Sequence, residues 1–326
     1  SLASAKDVTV KASPALIDTF LNIVTKNPVA SFASGNILQI IFFAIMLGVS
    51  INLAGEKAKP VADFFNGFSE AMFKMTNIII SYAPIGVFGL MAWVSATYGM
   101  DLLLSLGKVI FVVYLASIVH SIITFGGILA FFAKLSPIRF FKGIISAQAV
   151  AFTTTSSSGT LPVTTDNVVN NLGVSKSISS FVLPLGATIN MDGTALYQGV
   201  CVVFIAQAFG VDLTFANYVT IIATATLASI GTAGVPGAGL IMLSLVLSSV
   251  GLPLEGVAII AGIDRILDMA RTTVNVTGDA MVSVLIAKSE NELDLNIYNA
   301  EVLNPNTDTS IFGKAENVQT EKVYNS

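Results

Sequence analysis

Asp264-Arg-Ile-Leu-Asp-Met-Ala-Arg-Thr-Thr-Val-Asn-Val-Thr-Gly-Asp279 is the stretch on which the reading of this chain turns. It lies in an apolar run from Pro253 to Lys288, yet carries Asp264, Asp268, Arg271, Thr272, Asn275 and Asp279. At about 100° per residue, these six fall within roughly a 100° arc of one helix. The rest of that helix surface is mostly Ile, Leu, Val, Ala and Met. A charge near a bilayer centre costs about 2.5–3.5 kcal/mol on insertion scales, so such side chains face protein or water and serve an ion or solute path.

Composition places the helix in lipid. Charged residues make up only 11% of the chain and hydrophobic ones 54%, with a mean hydropathy of +0.80. A soluble domain would be nearer one-quarter charged. A net charge of −4 without a basic cluster leaves nothing to neutralise phosphates, which argues against nucleic acid as a partner. Cys201 is the one cysteine and His120 the one histidine, so no intrachain disulfide and no His/Cys metal cluster is expected. Both lie in apolar runs and read as core packing. A serine at position 1 with no signal peptide reads as a chain that begins partway through a longer protein.

Apolar runs of spanning length occur at about 37–54, 76–98, 102–133, 178–208 and 254–287. Residues 1–36, broken by Pro14 and Pro28, suggest short interfacial pieces, and 60–75 look amphipathic. Two further segments, at about 137–171 and 214–249, are apolar at their flanks and polar or Gly/Pro-rich in the middle. Their centres read TTTSSSGTLPVTT (Thr153–Thr165) and SIGTAGVPGAG (Ser229–Gly239). Unpaired backbone is not tolerated against lipid, so these predict re-entrant hairpins whose tips meet inside protein, with an ordinary polar loop as the alternative. From residue 290 to 326 the chain is polar and acidic, which predicts a disordered cytoplasmic tail.

Charge placement is an independent check. With each run crossing once and each hairpin returning to its own side, Lys57, Lys59, Lys134, Arg139, Lys142, Lys176 and Lys288 share one side. The connections near 98–101, 209–213 and 250–253 hold no Lys or Arg. The basic side is then cytoplasmic.

A repeat reinforces the layout. Gly159-Thr160-Leu161-Pro162 precedes Asn190-Met191-Asp192-Gly193-Thr194, as Gly231 to Pro236 precedes Asp268-Met269-Ala270-Arg271-Thr272. Inverted repeats with broken helices at the midplane are a hallmark of secondary transporters. An interruption at Gly193 would free backbone carbonyls beside Asn190 and Asp192, the hard oxygen ligands a small cation needs. In the competing structural reading, Asp192 and Asp279 merely pair with Arg265 and Arg271.

At SSSGT, NMDGT, GTAGVPGAG and DMARTTVNVTGD the chain resembles the dicarboxylate/amino acid:cation symporter family, over roughly residues 10–289. That resemblance implies an all-α membrane protein of the glutamate-transporter type, with re-entrant hairpins and inverted repeats, assembled as homotrimers in a prokaryotic plasma membrane. It divides the chain into a partial trimerisation scaffold (1–98), a transport domain (99–289) and the tail (290–326), and implies that the family's first three spans are missing. Through it, Ser157, Thr194, Val235 and Gly239 would contact the substrate, Asp268 its amino group, and Thr272 and Asn275 its main-chain polar atoms. Arg271 would grip a side-chain carboxylate, for which its planar donor fork is suited. The implied substrate is aspartate or glutamate.

The same resemblance implies co-transported sodium ions. One would be held by the Asp279 carboxylate and main-chain oxygens of Gly186, Asn190 and Asn275. A second would use main-chain oxygens of Thr188, Ser229, Ile230 and Thr232, and a third Asp192 and Asn190, completed by ligands from the missing third span. Two positions depart from family patterns. Thr155 stands where archaeal members have arginine, with Arg265 supplying charge from the last span instead, and Gln198 stands where animal carriers have a proton-carrying glutamate. Alternatives are a proton-coupled glutamate or C4-dicarboxylate carrier and an anion channel. An intramembrane serine hydrolase is weakest, since Ser156–Ser158 have no evident base partner.

Overall fold

A computed structural model of the chain describes residues 24–34, 37–230 and 232–300. Among these residues all regular structure is helical, apart from one isolated antiparallel bridge between Val174 and Leu293. A short helix α1 (Pro28–Ser34) precedes α2 (Ile37–Ala54), a 3-10 turn at Gly55–Ala58 and α3 (Lys59–Ser81). The interfacial pieces expected before Val24 lie outside the described residues.

Next comes α4 (Ala83–His120), which ends in two π-helical turns, Ser121–Phe125 and Ile128–Phe132. It runs unbroken through residues 98–101, where the sequence suggested a connection. A lone Gly99 with no proline nearby weakens a helix by only about 1 kcal/mol, too little to end one with apolar residues on both sides. The stretches Leu104–Phe132 and Lys176–Ala208 are long and apolar enough to cross a bilayer.

Two helix–loop–helix units follow the pattern of the two expected hairpins. The first is α5 (Pro137–Gly143), α6 (Ile145–Thr154) and α7 (Ser157–Asn170), with α6 packed on α7. The second is α10 (Phe215–Ile230) packed on α11 (Ala238–Ser249). The first turn is made at Thr155, which takes the left-handed conformation (φ +54°), and at Ser156, whose hydroxyl caps α7 by accepting from Gly159 N. Pro162, expected to break the chain, instead sits inside α7, because the turn is already complete six residues earlier.

Between these units lie α8 (Lys176–Ile189) and α9 (Asp192–Ala208), and after them α12 (Glu255–Ala261) and α13 (Asp264–Ser289). Both long spans are therefore broken helices. The first break falls at Asn190–Met191 rather than at Gly193, whose place is inside α9 against the Arg271 carbonyl and Asn275, where no side chain would fit. The second falls at Gly262–Ile263.

α13 is the central element, packed against α4, α6, α7, α8 and α9. Two apolar cores flank it. One joins α4, α9, α10, α11 and α12 through Val113, Cys201, Ile221, Leu243 and Ile260; the other joins the π-helical turns, α5, α7 and α13 through Phe125, Phe140, Val168 and Val284. Cys201 is thus core, as its apolar setting suggested.

The acidic segment after α13, expected to be disordered from residue 290, is folded up to Ala300. Helix α14 (Leu295–Asn299) buries Tyr298, whose hydroxyl donates to Ser136 O at 3.0 Å, and Arg139 donates to Ala300 O at 2.7 Å. Burial raises the Tyr298 phenol to about 12. Asp294 N donates to Gly173 O, and Ser175 bonds Glu292. Composition predicted a solvated tail, but one aromatic side chain and a run of backbone pairs suffice to dock it. Residues 301–326 lie outside the described residues.

Gly173 has φ +73°, and a Cβ there would strike the Asp294 carbonyl. Gly173→Ala should therefore lower unfolding stability by about 1–3 kcal/mol and expose residues 290–300 to protease. An unchanged melting temperature with unchanged cleavage would refute this role for the docked segment.

Candidate functional site

All six polar residues of the α13 arc are buried, as the helical period implied. Asp264, Asp268 and Asp279 face a single buried cation among the described residues, Arg271. Beyond bonds to one another, the partners of the six include Gly193, Thr194 and Tyr197 of α9, Asn190 at the first helix break and Gly237 of the second loop.

Arg271 is held from three directions. Its Nη2 lies 2.8 Å and its Nε 3.1 Å from Asp268 Oδ1, and its Nη1 lies 3.6 Å from Asp264 Oδ1. The guanidinium also stacks over the Tyr197 ring at 4.6 Å, a cation–π contact, while the Tyr197 hydroxyl donates to Asp264 at 3.0 Å. Nη1 makes no hydrogen bond. A Cβ at Gly239 would run into the guanidinium, so only glycine lets α11 come this close.

Asp268 is shared among several donors. Thr272 Oγ1 donates to its Oδ1 at 2.9 Å and Gly237 N to its Oδ2 at 2.9 Å, tying α13 to the second loop. Asn275 joins α13 to α9: its Oδ1 accepts from Gly193 N at 2.9 Å and its Nδ2 donates to Thr194 Oγ1 at 3.3 Å. The two loop tips meet at one carbonyl. Gly234 O accepts from Ser158 N at 3.1 Å and from Ser156 Oγ at 2.9 Å.

Ser157, Thr194, Val235, Gly239, Asp268, Arg271, Thr272 and Asn275 all line one small cleft with room for roughly one water molecule. Thr155, Met191, Thr232, Ala233 and Gly234 complete its wall. Tyr197 and Asp264, which grip Arg271 from behind, were missed as arginine partners. Their signal was available, since Asp264 belongs to the polar arc. Arg265 reaches Thr155 Oγ1 with one nitrogen and Thr153 O at 3.3 Å with the other, putting a guanidinium beside the first loop as the sequence suggested.

The expected cation ligands fall into three groups. Asp279 is 3% exposed and accepts from Asn190 Nδ2 at 2.9 Å, with Gly186 directly against its carboxylate. Asn190 Nδ2 also lies 3.5 Å from Asn275 O, so Gly186, Asn190, Asn275 and Asp279 converge. Thr188 ends α8, while Ser229, Ile230 and Thr232 end α10 and begin the second loop. No hydrogen bond among the described residues links Thr188 to those three; the nearest tie is Gly234 against Ala187 O. Asp192 begins α9, and its Oδ2 lies 2.9 Å from His120 Nε2. His120 is thus paired with a carboxylate and is not an inert core residue. Neither Asp192 nor Asp279 pairs with an arginine, which disposes of the competing structural reading.

A buried guanidinium, an excess of buried carboxylates and hydroxyl-lined loop tips suit the reversible holding of small charged solutes. The comparisons agree. The sodium:dicarboxylate symporter family matches residues 1–289, and the chain belongs to that family, one of transporters and not of enzymes. It is 40% identical over 289 residues to a proton/sodium-glutamate symport protein of Geobacillus stearothermophilus, covering 88% of this chain and 66% of the relative. It is 38% identical over 304 residues to a proton/glutamate-aspartate symporter of Escherichia coli, covering 92% and 69%. It is also 38% identical over 281 residues to a C4-dicarboxylate transport protein of Bacillus subtilis, covering 85% and 66%. The chain therefore spans about two thirds of the length of these relatives.

Asn190 is the only side-chain donor to Asp279 among the described residues. Asn190→Ala should cost about 1–3 kcal/mol in sodium-free detergent solution, the usual penalty for a buried acceptor left bare. A denaturation midpoint equal to that of the parent protein would contradict the pairing.

Proposed function

We propose that the protein is a secondary active symporter that carries an acidic amino acid, aspartate or glutamate, across a prokaryotic plasma membrane together with sodium ions. The observation that carries this reading is the single cleft lined by Arg271, Asp268, Thr272, Asn275 and both loop tips. In the structure Arg271 and Asp268 satisfy each other. A zwitterionic substrate with a side-chain carboxylate can replace both halves of that pair: its amine takes Asp268 and its carboxylate takes the guanidinium fork, starting from Nη1, which lies 3.6 Å from Asp264 but makes no hydrogen bond. A dicarboxylate without an amine would leave Asp268 buried and uncompensated, which favours amino acids over C4-dicarboxylates.

Cation coupling follows from the charge balance. Among the described residues three buried aspartates accompany one buried arginine, so ionising all three carboxylates requires further positive charge. Sodium ions at Asp279 with Gly186, Asn190 and Asn275, at Thr188 with Ser229, Ile230 and Thr232, and at Asp192 with Asn190 would offset it. Coordination at the Thr188–Thr232 group would draw the second loop onto α8. Substrate and cation would then each raise the other's affinity by linkage. Proton coupling is the competing reading, since the Geobacillus stearothermophilus and Escherichia coli relatives both carry protons in their names.

The two helix–loop–helix units act in this reading as re-entrant hairpins of inverted repeats. The segment 99–289 would move as a transport domain, by an elevator motion, against a scaffold that includes residues 1–98 in a homotrimer. Lipid would cover the outward apolar faces of the helices.

Radiolabelled aspartate and glutamate uptake into proteoliposomes, with and without an inward sodium gradient, tests the whole proposal. Uptake that needs sodium supports it; equal uptake on a proton gradient alone would transfer the coupling to protons. Arg271→Ala should abolish uptake of both acidic amino acids, and retention of wild-type affinity would show that the arginine does not bind the carboxylate. Asp279→Asn should raise the sodium concentration for half-maximal uptake at least tenfold, and an unshifted sodium curve would remove Asp279 from the ligand set.

A further inference from the structure

His120 closes α4 and bridges two elements of the polar centre. Its Nε2 lies 2.9 Å from Asp192 Oδ2 and its Nδ1 3.2 Å from Thr124 Oγ1. The neutral tautomer with its proton on Nε2 satisfies both contacts: the ring donates to the carboxylate and accepts from the threonine hydroxyl. Phe125 braces the ring edge-on, with centroids 4.8 Å apart. The π-helical turn Ser121–Phe125 begins at the next residue, and such widened turns are found mostly at functional sites.

The other oxygen of Asp192 is different. Oδ1 is buried and accepts no hydrogen bond. A bare buried carboxylate oxygen is costly, and the cost is removed when a ligand completes its coordination. Asn190 and Gly278 adjoin it: a Cβ on Gly278 would come within 3.3 Å of Asp192 Oδ1 and 2.5 Å of Asn190 Nδ2. Asn190 in turn donates to Asp279, so His120 stands at the outer edge of one continuous polar cluster. Packing does not explain it there. The His120 and Asp192 side chains are 25% and 28% exposed, whereas a histidine kept for its volume would be enclosed.

Resting on the reading of Asp192 as a cation ligand, we infer that His120 is a positioning residue for that ligand. Its Nε2–H pins Oδ2 and leaves Oδ1 aimed inward for the cation. Asp192 is the first residue after the helix break, so neither the backbone on its N-terminal side nor a second side chain fixes its rotamer. The imidazole supplies that constraint, as outer partners of metal-ligating groups do elsewhere.

The test is sodium dependence in proteoliposomes, read alongside the sodium-induced rise in melting temperature. His120→Ala should raise the sodium concentration for half-maximal uptake at least fivefold and shrink the sodium-induced stabilisation, with the substrate KM at saturating sodium unchanged. His120→Gln, whose amide can donate from nearly the same place, should restore most of both. If His120→Ala fails to assemble by gel filtration, His120→Leu, which fills the volume without a donor, takes its place. Equal sodium curves for the donor-less variant and the parent, or failure of His120→Gln to rescue, overturn the inference. Asp192→Asn separates it from the reading beneath: an unshifted curve there removes Asp192 as a ligand, whereas a shift there without one at His120 overturns only the positioning role.

Discussion

The burial of unlike numbers of opposite charges governs this structure. Among the described residues, Asp264, Asp268 and Asp279 are enclosed with Arg271 alone for a buried counter-charge. One guanidinium can serve two carboxylates, and here it serves Asp264 and Asp268 at once, backed by the Tyr197 ring. Asp279 is left with a neutral amide. An arrangement of this kind is a poor device for stability, since replacing buried ion pairs by apolar side chains is often neutral or favourable. Under the proposed symport, the missing positive charge would arrive with the co-transported cation.

Everything near α13 is shaped to reach those charges. Helices α8 and α9 part at Asn190–Met191, beside Asp279 and Asp192, and α12 parts from α13 one residue before Asp264. Each break frees peptide groups that would otherwise be locked in i→i−4 pairs. Gly193 and Gly239 let α9 and α11 approach α13 more closely than any side chain would permit. The two apolar cores on either side carry the packing, so the polar centre is free to be under-satisfied.

Much of this was legible in the chain. The 3.6-residue period alone placed six polar residues on one buried arc, and the Gly/Ser-rich centres marked both loops. All eight residues assigned to the substrate by resemblance meet in one cleft. Finer features escaped because local rules compete. The Thr153–Thr165 centre marked the first loop without fixing its turn, which Thr155 in the left-handed region and the Ser156 cap make, leaving Pro162 inside α7. Gly193 looked like the helix break, but its lack of a side chain serves an approach to Arg271 instead. The pairing of His120 with Asp192 spans 72 residues, and no pattern within a helix can announce a partner that far away. The hint was the histidine itself, a polar ring in an apolar run. In the same way, composition described the segment after Ser289 as solvated, while Tyr298 anchors it.

One carbonyl, that of Gly234, takes both hydrogen bonds that join the loop tips. Parting them forfeits only those two links, worth about 1–3 kcal/mol together, which thermal fluctuation alone can supply. The two tips are therefore joined through a single acceptor, while the second loop keeps its own separate tether to α13 through Gly237 N and Asp268.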